Sequence, residues 1–212
     1  GSDPFFEYVL LRDKLIKYKP DIAIFQFCEN DISDVILRGG MDRFRKNGRV
    51  KYLKGPTITE FFFASSFVLR ILNPSFLMRF QGHNLTEIQY AFKEFSHFFK
   101  LLNELAVANK IQVYLCFLPT NFNQNSNDEL FVFQPLMQKY PDLIPISFRQ
   151  YLQKNFWLFN NKFRKTGYWE NNGHYNAKGY EILADAIFEV IKNDSLLQNV
   201  QICDSIADYR LR

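Results

Sequence analysis

The sequence is poor in cysteine, histidine, glycine and proline, and each shortage closes off a class of protein. Among 212 residues there are 3 Cys, 3 His, 9 Gly and 8 Pro. Cys28, Cys116 and Cys203 are odd in number and far apart, with no CxxC pair and no Cys/His cluster. That pattern argues against a disulfide framework and against a zinc site, so no metal or other cofactor is expected. No Gly-rich turn follows a strand-like segment, which removes the phosphate-cradling loops of nucleotide-binding proteins. No apolar run approaches the roughly 20 residues of a membrane span, and no signal peptide is visible. The net charge of +4 is mildly basic, well short of a dedicated nucleic-acid binder, so no nucleic-acid partner is expected.

What is present reads as globular. Hydrophobic residues make up 47% and charged residues 23%, and the length suits one domain, residues 1–212, with a substantial core. Phenylalanine is the outlier, with 24 copies beside 11 Tyr. Such weight implies either a Phe-rich core or a broad apolar cleft, and the core is the preferred reading.

The element pattern is that of an α/β protein with a mostly parallel sheet. Asp3-Pro4 opens a helix, with Asp3 as cap and Pro4 at the first helical position, and Pro20 stops it. Asp21–Phe27 and Ile111–Leu118 are nearly continuous apolar runs, as expected of parallel strands buried on both faces. Cys28 and Cys116 lie in those runs and read as small buried hydrophobes. Helices are predicted over Thr59–Leu72, Thr86–Asn109, Asp128–Tyr140 and Ala177–Lys192, with a short strand at Leu143–Ser147. Residues 39–57 break this rhythm. Charged and apolar residues alternate there around Asn47-Gly48, the signature of a hairpin insertion. Its positive charge suits a solvated face or an anion-binding one.

Two segments carry chemistry. Cys28-Glu29-Asn30-Asp31 directly follows the first buried strand, and ligands of open parallel sheets bind beyond the carboxyl ends of the strands. The Asn30 amide is a neutral donor suited to a developing oxyanion; Asn30 and Asp31 equally suit an ordinary turn. Later, Asn171-Asn172-Gly173-His174-Tyr175-Asn176 precedes the last amphipathic helix. His174 is positioned for a general base near neutral pH or for a purely structural role, and Asn176 reads as the helix cap.

Taken together and in this order, the segments PDIAIFQFCEND and GHYNAKGYEILADAI resemble the SGNH (GDSL-like) hydrolase superfamily over roughly residues 1–192. The resemblance implies a three-layer αβα sandwich with a flavodoxin-like sheet. It implies a serine esterase acting on a small or carbohydrate-linked ester, with Asn30 as oxyanion donor and His174 as base. Gly1 matches either the family's second-block glycine or a remnant of cloning. Three departures accompany the match. No Gly-Asp-Ser occurs, so the nucleophile is expected upstream, the N-terminal strand or strands are expected to be missing, and this chain alone is expected to be inactive. Asn171 and Asn172 occupy the places where the family carries its Asp, leaving Glu170 as the nearest carboxylate. Cys28 stands in place of a Gly. A second reading is therefore a non-catalytic domain of the same fold, with a decayed site that binds a ligand or partner. Without its upstream neighbour, Asp21–Phe27 needs another cover: an oligomer partner, a second chain, or the alternating segment Leu197–Cys203.

Overall fold

A computed structural model describes residues 3–28, 30–45, 49–51, 85–119, 129–155 and 175–194. The chain divides into two compact units: residues 1–120 with 127–147, and residues 121–126 with 148–212. Each is taken by itself.

The larger unit is α/β. Helix α1 (Pro4–Leu10) starts as its sequence dictates: the Asp3 carboxylate accepts from the N–H groups of Phe5 and Phe6, both at 3.1 Å, and Pro4 needs no partner for its nitrogen. The helix widens to a π-turn at Leu11–Leu15 and tightens to a 3-10 turn at Ile16–Tyr18. Lys19 then closes the helix in the left-handed conformation common at helix ends, φ 50°, its N–H bonded to the Ile16 carbonyl at 3.0 Å, and Pro20 follows directly.

Three parallel strands follow in the order β1-β2-β3. They are β1 (Ile22–Cys28), β2 (Gln112–Leu118) and β3 (Leu143–Ser147). The register sets Ile22 opposite Gln112 and Cys28 opposite Leu118, then Val113 opposite Leu143 and Phe117 opposite Ser147. Strand β2 is buried on both faces from Val113 to Leu118, as its unbroken apolar run requires. Strand β1 departs from that expectation. Phe25 and Phe27 are buried, but Ile24 is 43% exposed and Gln26 is exposed, so one face of β1 meets solvent. Among the described residues its single strand neighbour is β2. Pro145 in β3, which has no N–H to donate, suits a strand whose one strand neighbour among the described residues is β2.

Among the described residues this unit also contains helices α2 (Asn30–Arg38), α3 (Leu85–Asn109) and α4 (Glu129–Met137). Phe95, Phe98, Phe99, Leu102 and Ala106 recur at helical spacing along α3 and are all buried. The Phe98 ring lies 5.1 Å from Phe5, 6.0 Å from Phe25 and 6.0 Å from Phe27; Phe27 stacks on Phe117 at 5.1 Å. Much of the Phe content is thus core packing, offset or edge-on as ring quadrupoles prefer. The arm after α2 pairs Phe44 with Val50 in antiparallel fashion, while its Asn47-Gly48 tip lies outside the described residues, as does Thr59–Leu72.

The smaller unit contains α5 (Phe148–Asn155) and α6 (Ala177–Asn193). Tyr175 packs edge-on against Phe148 at 5.7 Å and against Tyr180 at 5.8 Å. The Asn176 side chain caps α6, accepting from the Gly179 N–H at 3.0 Å.

Candidate functional site

The carboxyl end of β1 passes straight into α2, and Asn30 is the first residue of that helix. Its side chain is exposed, and its amide donates to the Asp34 carboxylate at 3.2 Å. A carboxamide nitrogen has two hydrogens, so one donor is left over for a ligand. Asp34 in turn sits 3.4 Å from Arg38, and its pKa is raised, chiefly by burial.

Asp31 is the residue that sequence reasoning undervalued. Its side chain turns inward, 5% exposed, and accepts from the Cys28 N–H at 2.7 Å, tying the end of β1 to the start of α2. Burial pushes its pKa up to about 8, with Asp34, Asp3 and Glu7 adding in the same direction against the Cys28 N–H. An Asn-Asp pair after a buried strand signals a turn, but sequence alone does not tell which of the two faces inward.

Beneath this turn lies a buried ion pair. Both Asp3 oxygens accept from Arg43 Nη2 at 2.6 Å, and Arg43 Nη1 donates to the Gly39 carbonyl at 3.0 Å. On the far side of α2's end, a groove of about 450 Å³ is lined by Met41, Asp42, Lys93, Glu94 and His97. The Glu94 carboxylate there accepts from the Met41 N–H at 3.1 Å, and the Tyr90 hydroxyl accepts from the Gly40 N–H at 3.3 Å. Burial, then Asp42, raises the Glu94 pKa. Glu94 and His97 were hidden in sequence by the apolar periodicity of α3 around them.

Cys28 is half-buried and Cys116 buried, both as free thiols, and burial pushes the Cys116 thiol up to about 12. It is a packing residue and no nucleophile. Among the described residues no group of three or more His, Cys, Asp or Glu is placed to hold a metal ion, and no helix is long and apolar enough to cross a membrane.

Glu170, Asn171, Asn172 and His174 lie outside the described residues, as does Leu197–Cys203. His174 immediately precedes Tyr175 and stands two residues ahead of the Asn176 cap. Set against family models, curated proteins and solved structures, the chain matches none. The SGNH resemblance accordingly stands on its two motif segments and their order.

Proposed function

We propose that this chain is part of an SGNH-type serine esterase with a three-layer αβα architecture, acting on a small or carbohydrate-linked ester. The observation that carries the reading is Asn30: an exposed amide in the first turn of α2, directly beyond the carboxyl end of a parallel strand. In this reading a serine upstream of Gly1 attacks the acyl carbon, and His174 takes the serine proton and returns it to the leaving alcohol. Water then hydrolyses the acyl-enzyme. The free Asn30 N–H donates to the oxyanion. Asp31 positions Asn30 through its bond to the Cys28 N–H.

A non-catalytic binding domain of the same fold is the second reading, and Asn171 and Asn172 favour it. In a serine-protease triad, changing the carboxylate that partners the His to Asn costs roughly 10⁴ in rate. The deciding experiment uses the parent protein and an acetyl ester of p-nitrophenol. Esterase activity that falls by roughly 10²–10³ in Asn30→Ala, and further in His174→Ala, supports the enzyme. Equal rates in parent and variants leave the binding domain. The chain alone is expected to hydrolyse the ester no faster than its His174→Ala form, and a clear His174-dependent rate here would overturn the placement of the nucleophile upstream.

A further inference from the structure

Asn30, Asp34 and Arg38 follow one another at i, i+4 spacing along α2, so their side chains share one stripe of that helix. The stripe flanks the inward face that buries Asp31 and Val35. Asn30 is exposed, Asp34 half-buried and the Arg38 side chain 44% exposed. The two oxygens of Asp34 are divided between its neighbours. Oδ2 accepts from the Asn30 amide nitrogen at 3.2 Å, and Oδ1 lies 3.4 Å from Arg38 Nη2.

The three groups differ in what they can offer. A carboxamide has a donor end and an acceptor end of nearly the same shape, and it can turn end for end. An ionised carboxylate only accepts, and a guanidinium only donates. Asp34 therefore fixes which end of the Asn30 amide faces it. With the amide turned over, the Asn30 oxygen would oppose a carboxylate oxygen. Arg38 meets the other oxygen of Asp34 and offsets its charge beside a place where negative charge would develop. A donor aligned in advance needs no reorganisation at the moment of reaction.

We infer that Asp34 is the positioning residue of the Asn30 amide, with Arg38 as its anchor, an inference that rests on the esterase reading of Asn30. Asp31 places the backbone at the start of α2, and Asp34 orients the side chain. Asp34 selects the orientation in which Asn30 offers an N–H to the oxyanion, so its effect belongs to the transition state and not to ester binding.

Steady-state kinetics of the parent protein on the acetyl ester of p-nitrophenol test this through two variants of the same residue. Asp34→Asn keeps the shape and reverses the polarity: Arg38 takes the new oxygen, the new nitrogen faces Asn30, and Asn30 turns its own oxygen toward it. The expected result is a kcat lower by roughly 10-fold, with KM and melting temperature unchanged. Asp34→Glu keeps an acceptor-only carboxylate one turn from both neighbours and is expected to stay within about 3-fold of wild type. A kcat for Asp34→Asn within about 2-fold of wild type overturns the inference, as does a loss shared equally by Asp34→Glu or one that appears in KM or melting temperature. In an Asn30→Ala background Asp34→Asn should cost nothing more; an undiminished further loss there would show that Asp34 acts elsewhere, and overturns the inference while leaving the esterase reading intact. A parent protein without esterase activity, or one indifferent to Asn30→Ala, overturns the reading itself, and the inference falls with it.

Discussion

At the scale of single residues, Asp31 sets the clearest physical expectation. Its carboxyl titrates at about 8 in the fold against 3.8 in an open chain, because burial disfavours the charged form. The folded state therefore holds a proton that the unfolded state has released throughout the window between those values. Stability linked to this group is fully present below the unfolded value and is lost as pH rises toward 8. Asp31→Asn keeps an oxygen to accept from Cys28 and never ionises. It is expected to match wild type near pH 4, to exceed it at pH 8 by up to several kcal/mol, and to flatten the slope between. Urea titrations across that range check this; an unchanged slope would mean that Asp31 ionises freely in the fold. Asp3 makes a second case. It neutralises buried Arg43, whose Nε has no partner among the described residues, and it caps α1. Asp3→Asn is expected to cost about 3–5 kcal/mol, since breaking one side of a buried pair strands the other charge. A loss below about 1 kcal/mol in chemical denaturation would mean that water reaches Arg43.

At the scale of elements, the contact between α2 and α3 depends on a missing side chain. α2 ends at Gly39, whose φ of 92° suits glycine and whose N–H closes on the Val35 carbonyl at 2.8 Å. The next residue, Gly40, sits under Glu94: a Cβ there would overlap the Glu94 carboxylate oxygen and come within 2.6 Å of its Cδ. Gly40→Ala must displace that carboxylate and break its bond to the Met41 N–H. The expected cost is roughly 1–3 kcal/mol. In a double-mutant cycle with Glu94→Ala the two losses should be clearly less than additive; simple additivity would show that the two residues do not meet. The sequence marks Gly39-Gly40 only as the start of a stretch that breaks the helix–strand rhythm. The need for a bare α-carbon at residue 40 arises from α3, more than 40 residues away.

At the scale of the whole molecule, the proposed esterase yields one further expectation. In the parent protein, Asn172→Asp or Asn171→Asp should raise the ester-hydrolysis rate, because a carboxylate beside His174 stabilises the imidazolium formed as serine gives up its proton. If neither change raises the rate, Glu170 or a more distant carboxylate already serves, or the site does not catalyse. The sequence by itself determined much of the scaffold. Unbroken apolar runs specified two strands, helical spacing specified α3 and α6, and Asp3 and Asn176 announced the caps that the structure shows. These are local signals, written in side-chain periodicity and in the unsatisfied N–H groups of helix ends. Only the tertiary structure decided that β2 and not β1 is buried on both faces, that Asp31 points inward while Asn30 faces solvent, and that Arg43 leaves a basic arm to neutralise Asp3. Each of those depends on which distant segment occupies the space beside a residue. Burial and charge pairing are properties of that neighbourhood, and no window of the chain contains it.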